Sequence, residues 1–325
     1  MITLNKNILQ FRFPKVERLA GCNISFERTL RIPDDNQSYP LPPGMDTFPL
    51  EHVDDYPNLP ATYQKRGGVF LPMYQSEAMW ISFDGNYPCA VKIAAGKINA
   101  VSGEQWSEGL NHSKQDYIVS SDQPWLDGFN VSDGMIRQFV AMPLGQGYTA
   151  EEQLTSEAEF GGLQIAVYPM KAELYQKLRD SRSLPYQQIR NLVFECRDAP
   201  MGLAPGGLMK QEIEKDEYGA DAWDIENGTR CFIHIVNSEQ YQHITGALPP
   251  HQPMTAQDYD FEDLPWFDYY SEGPSVEGSD TLKGLKSVGT KMIEDSGDQL
   301  DHNQSFSPNK ITTLRKRRKV REGSF

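Results

Sequence analysis

The sequence predicts a mainly β or α+β protein, with an antiparallel β-sandwich-like body and a few short helices. The chain of 325 residues contains 22 prolines and 26 glycines, spread along its length. This composition favours many short elements joined by tight turns over long helices. Met79, Ile81 and Phe83 alternate with less apolar neighbours, the period of two that indicates a strand with one buried face. A second run with high β propensity covers residues 231–236.

Turn and capping signals place the other elements. Ala95-Gly96 predicts a hairpin between 91–93 and 98–100, and the Thr149-x-x-Glu152 capping box predicts a helix over 149–159. Leu174 and Leu178 lie four residues apart, and Ser183 and Pro185 are suited to a helix start, so two helices are predicted between 170 and 196. A further short helix is predicted over 238–245. We therefore expect a β-rich domain over 1–170, a mixed α/β region packed on it over 171–270, and a loosely ordered segment with a basic tail over 271–325. Residues 282–288 are the expected exception to this loose order.

Charge is distributed unevenly. The net charge is −14, but residues 310–322 contain seven basic residues and one acidic residue, so this segment carries +6 and the rest carries −20. A body this acidic repels phosphate backbones, which argues against nucleic acid binding through the body. The tail is suited to an acidic protein partner or to a second copy of the chain, and it also fits a simple solvated charge run.

The sequence lacks the common targeting, membrane-spanning, metal-binding and catalytic motifs. The four cysteines form no C-x-x-C pair, and residues 1–7 show no charged-then-apolar signal region. No stretch approaches the roughly 18 apolar residues of a membrane-spanning helix. Neither a phosphate loop nor a G-x-S-x-G elbow is present. We expect a cytoplasmic protein with reduced thiols, no membrane contact and no metal or other cofactor.

The loop over residues 122–134 is the most suggestive segment for ligand binding. It places Asp122, Trp125, Asp127, Asn130 and Asp133 among glycines. Oxygen ligands on a flexible loop are typical of Ca²⁺ sites, although this spacing is not that of an EF-hand. The same residues are typical of turns in which Asp and Asn accept bonds from the backbone. A sugar-binding or other ligand-binding loop is the third interpretation.

A second acidic segment covers residues 212–224 and ends in Trp223 and Asp224. Paired carboxylates beside aromatic rings are what a glycosidase requires. A solvated acidic loop has the same composition, so pairing in space decides between the two.

His234 lies on an apolar strand face, which favours a hydrogen-bonded core histidine over a base for Cys196.

The tail supplies the candidate residues for partner binding. They are basic side chains and one terminal aromatic ring: Arg315, Lys316, Arg317, Arg318, Lys319 and Phe325. Aromatic side chains near acids and prolines, as in residues 264–270, are suited to interfaces or to the core.

Several stretches carry a family resemblance. They are RTLRIPD at 28–34, YPLPP at 39–43, GGVFLPMYQ at 67–75, NAVSG at 99–103, DQPWLDG at 122–128, IRQFVAMPLG at 136–145, FIHIVNS at 232–238 and LPWFD at 264–268. The chain resembles a widespread family of bacterial and filamentous-fungal proteins, some of which carry the label "integral membrane protein". The resemblance covers residues 25–290 and implies no activity, because none is established for the family.

These observations lead to one functional hypothesis with two alternatives. We expect a non-catalytic binding or assembly protein, which self-associates or engages a protein partner through aromatic loops and the basic tail. The alternatives are a carbohydrate-active hydrolase with paired carboxylates and a Ca²⁺-dependent lectin-like module. A small-molecule or sugar ligand is compatible with each of them.

Overall fold

Strands dominate the chain, as the sequence predicted. The computed structural model describes residues 1–85, 87–181, 200–270 and 273–315. The protein is mostly antiparallel β-sheet, with 36% strand, 18% helix and only short helices. The predicted fold class is therefore confirmed.

The described residues form 19 strands and seven α-helices. The strands are β1 (Ile2–Asn5), β2 (Ile8–Arg12), β3 (Gly21–Thr29), β4 (Ser38–Tyr39), β5 (Gly44–Thr47), β6 (Glu51–His52), β7 (Val69–Met73), β8 (Ala78–Asp84), β9 (Cys89–Ala95), β10 (Ile98–Asn99), β11 (Ile118–Val119), β12 (Trp125–Leu126), β13 (Gly128–Ser132), β14 (Met135–Pro143), β15 (Leu163–Pro169), β16 (Pro200–Lys210), β17 (Thr229–Asn237), β18 (Trp266–Tyr270) and β19 (Ile311–Arg315). The helices are α1 (Ala61–Arg66), α2 (Ala150–Thr155), α3 (Ala172–Ser181), α4 (Ser238–Thr245), α5 (Ala256–Phe261), α6 (Asp280–Lys283) and α7 (Val288–Ser296).

Seventeen of these strands belong to one continuous sheet. Pairing runs from β2 through β3, β8, β14, β16, β17 and β15 to β9, and most of the pairs are antiparallel. Strands β4 and β7 join it in parallel, beside β16 and β17. Side chains of β3, β8, β9 and β15 share one hydrophobic cluster. Strands distant along this sheet therefore share one core.

Burial along the strands follows the residue pattern. In β8, Met79, Ile81 and Phe83 are buried, whereas Trp80 and Ser82 are half-exposed, so the alternation marks one core face. Every residue of β9 and β15 is buried, because both faces of these strands are covered.

His234 in β17 is a buried core residue that bonds to Gly67 O at 3.0 Å and stacks on Tyr63. Burial lowers its pKa to about 4.

Local signals placed the helices correctly. Helix α2 begins with the predicted capping box, in which the Thr149 side chain accepts from Glu152 N and Glu152 bonds back to Thr149 N. Helix α3 lies within the stretch 170–196 where two helices were predicted, and α4 matches the prediction over 238–245. The helix predicted after Ser183, and Cys196 with it, lie outside the described residues.

The C-terminal segment packs on the body where the sequence made an exception to its loose order, at residues 282–288. Helices α6 and α7 and the turn between them bury Leu282, Leu285 and Val288 against the body. Gly278 passes so close to β13 that a Cβ there would lie 2.1 Å from Ser132 Cα, which only glycine tolerates. The loose order expected for the rest of the segment stays a prediction.

Strand pairing crosses the expected boundary at residue 170. Strands β16 and β17 from the mixed region pair with β14 and β15 of the β-rich region, so both regions contribute to one sheet. The division into two domains stays a prediction. Within the described ranges, every helix is too short or too polar to span a lipid bilayer.

Candidate functional site

The 122–133 loop directs its central side chains to partners within the protein. Asp127 Oδ2 accepts a hydrogen bond from Gln211 Nε2 at 2.6 Å, while Asp127 N donates to Gln211 Oε1 at 3.0 Å. The Trp125 side chain also bonds to this carboxylate. Asp127 is buried, and burial raises its pKa to about 7, against the two hydrogen bonds that lower it.

The far end of the loop holds the C-terminal segment. Asn130 is buried and donates to Val101 O and Glu277 O at 3.3 and 3.0 Å. Asp133 Oδ1 accepts from Gly278 N at 2.8 Å, and Asp122 is half-buried at the start of the loop. These contacts join the loop to segments distant in sequence, with Asn130 as donor and Asp133 as acceptor. They differ from the bonds of the turn interpretation, in which Asp and Asn accept from nearby backbone amides. Whether the same residues bind a ligand stays a prediction.

Trp223 lies in the core beside a buried carboxylate. Asp216 Oδ2 accepts from Tyr117 Oη at 2.6 Å and from Trp223 Nε1 at 2.9 Å, with His112 Nδ1 3.4 Å away. His112 Nδ1 lies 2.8 Å from Tyr117 Oη. Because the single Tyr117 proton points to Asp216, His112 Nδ1 is the donor to Tyr117, which fixes the tautomer of a neutral His112.

Asp224, the neighbour of Trp223, has a local role in a turn. Its two oxygens accept from Asn227 N at 3.1 Å and from Asn227 Nδ2 at 2.9 Å. The side chain is half-buried. The two predicted site residues of this segment therefore point to different surroundings, one in the core and one at the surface.

Amide side chains join the two acidic segments. Besides the Gln211 contact with Asp127, Gln123 donates to Glu212 O at 3.3 Å and accepts from Glu214 N at 2.8 Å. The segments run side by side, and the contacts between them are made by amides and backbone. Within the described ranges, no group of three or more His, Cys, Asp or Glu side chains is placed to hold a metal ion.

The two strands β18 and β19 form a separate parallel sheet, here called the terminal ribbon. Leu41 and Phe267 bridge it to the body, and Trp125 packs edge-on against Tyr269 at a centroid distance of 4.9 Å. Trp125 of the 122–133 loop therefore helps to hold the terminal ribbon against the body. Trp266 in β18 is fully buried.

Four of the ten large apolar side chains that are exposed among the described residues lie on or beside the ribbon. They are Phe261 (87% exposed), Ile311 (49%), Leu264 (38%) and Leu314 (38%). Arg315 is the last residue of β19. The other predicted partner-binding residues, Lys316, Arg317, Arg318, Lys319 and Phe325, lie outside the described residues.

A cleft of about 440 Å³ opens between the β7–β8 turn and the C-terminal segments. We call it the Arg31 cleft. Its walls include Arg31, Gln252, Met254, Met292 and Leu300, and Glu77 lies at its base.

Glu77 is the fully buried partner of Arg28. Arg28 Nε donates to Glu77 Oε1 at 2.6 Å, Arg28 Nη2 contacts the same oxygen, and Tyr74 N donates to Oε2 at 2.9 Å. Burial raises the pKa of Glu77 to about 7, although Arg28 opposes the shift. Glu77, which lines the cleft, thus belongs to a desolvated ion pair with Arg28.

Arg31 combines a positive charge with an unused donor. Its Nη2 donates to Asp301 O, whereas Nη1 is buried and has no hydrogen-bond partner among the described residues. Burial lowers the pKa of Arg31 to about 10, against the nearby carboxylates of Asp34 and Asp301. A buried donor without an acceptor carries a desolvation cost of about 1–3 kcal/mol.

Sequence reasoning missed this cleft. Its residues come from positions 31, 74–77, 252–256, 292 and 300–302, and none of these stretches contains a motif. The available signal was RTLRIPD at 28–34, where two arginines flank apolar strand positions, but it does not identify their partners.

Comparisons with protein-family models, with curated proteins and with solved structures each found no match. The function is therefore argued from the geometry of this chain alone.

Proposed function

We propose that this protein is a binding and assembly protein that self-associates through the terminal ribbon. The observation that carries the proposal is β19, which has one strand neighbour among the described residues and is exposed at each position from 311 to 314. An exposed strand edge offers a row of backbone donors and acceptors to another strand. Exposed apolar side chains beside it add area that burial stabilises.

The hydrogen-bond pattern indicates which groups of β19 face outward. Trp266 N donates to Lys310 O at 2.8 Å, and Trp266 lies opposite Ile311 in the parallel register. In a parallel ladder the bonds recur at every second residue, so Thr312 faces β18. The N–H of Thr313 then points away from the ribbon and is free to pair with an added strand.

The charge distribution supports a second copy of the chain as the partner that pairs with the β19 edge. The segment over 310–322 carries +6 and continues directly from β19, whereas the rest of the chain carries −20. When the β19 strands of two copies pair antiparallel, the contact is self-complementary and each tail runs toward the acidic body of the other copy. A closed dimer with two-fold symmetry is the expected assembly.

The Thr313→Pro variant tests whether the outer edge of β19 forms the dimer contact. It leaves the hydrogen bonds between β19 and β18 in place. Proline removes the outward N–H, so the variant is expected to elute as a monomer where the unmodified chain elutes as a dimer. Thr313→Val keeps the N–H and should leave the dimer intact. Mass is measured by size-exclusion chromatography with light scattering, and circular dichroism checks that each variant folds.

Removal of residues 316–325 tests the contribution of charge. The truncated chain is expected to dimerise more weakly than the full chain at low salt, and the difference should shrink at high salt because screening removes it. The proposal is overturned by a full-length chain that is monomeric at every salt concentration, or by a Thr313→Pro variant that dimerises as tightly as Thr313→Val.

A further inference from the structure

The segment just before β19 contains a short sequence that protein kinases recognise. Ser307 is followed directly by Pro308, and Lys310 is the third residue after it. This is the single Ser-Pro or Thr-Pro dipeptide in the 325 residues. Proline-directed serine/threonine kinases require a proline directly after the acceptor residue, and many of them favour a basic residue at the third position after it. Ser307 therefore has both features of such an acceptor.

Ser307 is open to an enzyme in the folded protein. Residues 303–310 contain no helix or strand, and Ser307 is exposed. Within the described ranges its hydroxyl has no hydrogen-bond partner, whereas that of Ser305 bonds to the Asp35 carboxylate. Of these two neighbouring serines, Ser307 is thus the one with a free acceptor oxygen.

The backbone around Ser307 suits the extended conformation in which kinases bind their substrates. A residue before proline is restricted to extended conformations, and the proline ring fixes its own φ. The next two residues are attached at the surface. Asn309 donates to Asp260 Oδ1 and Oδ2 at 2.9 and 3.0 Å, and Lys310 Nζ reaches Asp263 O at 3.4 Å. Exposed bonds of this kind open locally at low free energy, so an enzyme can bind the segment while the sheet stays folded.

A phosphate on Ser307 changes the charge balance beside the terminal ribbon. It adds a charge of about −1.5 to −2 at neutral pH, just before the segment over 310–322 that carries +6. The carboxylates of Asp35 and Asp260, which hold Ser305 and Asn309, lie on the adjacent body. The phosphate therefore offsets part of the positive charge that draws the tail toward a second copy, and the body beside it repels it. Both effects oppose self-association.

We propose that Ser307 is the phosphorylation site of a proline-directed serine/threonine kinase, and that its phosphate weakens dimerisation through the terminal ribbon. In the transfer, Ser307 Oγ forms a bond to the γ-phosphorus of ATP while the bond from this phosphorus to the β–γ bridging oxygen breaks. The electron pair of that bond leaves with ADP, and the hydroxyl proton passes to a carboxylate of the kinase. The effect on dimerisation rests on the proposed self-association, whereas the modification itself does not.

A cyclin-dependent kinase with Mg²⁺ and ATP is the probe for the modification. The full-length protein is expected to gain the mass of one phosphoryl group, which peptide fragmentation assigns to Ser307. Ser307→Ala should take up no phosphate, whereas Ser305→Ala, the matched control two residues away, should be phosphorylated at a similar rate. Pro308→Ala keeps the acceptor hydroxyl and should be phosphorylated at least about tenfold more slowly.

Light scattering measures the consequence for dimerisation. At low salt, the phosphorylated chain and the Ser307→Asp variant are expected to have dimer dissociation constants about three- to tenfold higher than that of Ser307→Ala. The difference should shrink at high salt, because screening weakens the contribution of the phosphate. Circular dichroism checks that each protein is folded.

The contrary outcomes separate the two parts of the proposal. Absence of phosphate from Ser307, or a Pro308→Ala variant that is phosphorylated as fast as the unmodified chain, would overturn the site. Equal dimerisation of the phosphorylated and unmodified chains would overturn the regulation. A chain that takes up phosphate at Ser307 but is monomeric at every salt concentration contradicts self-association and its regulation, and leaves the modification site standing.

Discussion

The 122–133 loop and the Arg31 cleft use charged groups in opposite ways. In the loop, Asp127, Asn130 and Asp133 each have hydrogen-bond partners within the chain. In the cleft, Arg31 Nη1 is buried without one among the described residues. The loop has the higher density of carboxylates and glycines in the sequence, yet the cleft has the unsatisfied donor and the volume.

The difference shows that a dense polar motif and an unsatisfied polar group are separate things. The partners of the loop residues are distant in sequence: Asp127 bonds to Gln211, and Asn130 and Asp133 bond to the backbone of residues 277 and 278. The loop side chains are therefore satisfied because the fold brings these segments together. In the cleft, distant segments also meet, but one buried donor, Arg31 Nη1, has no acceptor within reach among the described residues. Three sets of substitutions sharpen this contrast.

The base of the cleft is expected to give the largest effect. Arg28→Met leaves the Glu77 carboxyl buried without its cation, so the free energy of unfolding should fall by about 3–5 kcal/mol. Urea denaturation at pH 8 measures the loss. The double variant Arg28→Met/Glu77→Leu should recover most of it, because an apolar pair of similar size needs no compensation.

A surface pair provides the control for that measurement. Lys114 and Glu104 form an ion pair with both side chains more than half exposed. Lys114→Met should change the free energy of unfolding by less than about 1 kcal/mol. A double variant as unstable as Arg28→Met alone would show that the charges at the base of the cleft are not the cause.

Asp127 is expected to make stability depend on pH. Its folded pKa of about 7 exceeds the ordinary value of 3.8, so the folded state holds a proton that the unfolded state has lost between these values. Its stabilising contribution is full below the unfolded pKa and is lost as pH rises through about 7, by about 1.4 kcal/mol per pH unit. Asp127→Asn should remove this slope, since asparagine accepts the same bond from Gln211.

Urea titrations of the unmodified chain and Asp127→Asn at pH 5, 6 and 7 measure the difference in slope. Glu77 adds a similar slope to both proteins and cancels in the comparison. Identical slopes would mean that Asp127 is ionised throughout this range, and that the loop is less desolvated than its burial implies.

Trp223 and its neighbour Asp224 are expected to give the smallest effects, and unequal ones. Trp223→Phe removes the donor to buried Asp216, so the free energy of unfolding should fall by about 1–2 kcal/mol. Asp224→Asn affects a half-buried turn and should stay within about 0.5 kcal/mol. Thermal and urea unfolding of both variants test this, and the reverse order would contradict the assignment of Trp223 to the core.

Much of the fold was predictable from local patterns. Period-two alternation identified β8, a capping box identified the start of α2, and Ala95-Gly96 marked the hairpin of β9 and β10. Each of these signals acts over a few residues, where sequence and backbone geometry are directly linked. The same holds for residues 282–288, the apolar stretch that was set apart from the polar C-terminal segment, where Leu282, Leu285 and Val288 are buried.

The candidate sites were predictable only in part. The sequence identified the basic tail and the aromatic run at 264–270, but not that β19 forms an exposed edge beside them. The partners of Asp127 and Trp223 come from Gln211 and Asp216, which no spacing rule relates to them. For the Arg31 cleft the sequence offered the arginines at 28–34 but not the segments that meet them.

The sequence by itself determined the strand-rich class, the main turns and caps, and the separation of an acidic body from a basic end, because these follow from propensity, periodicity and formal charge. The tertiary structure alone decided which charged groups are satisfied and which are left over. Hydrogen bonds and desolvation depend on distances between segments as far apart as residues 31 and 301, and those distances exist only after the sheet has folded over its core.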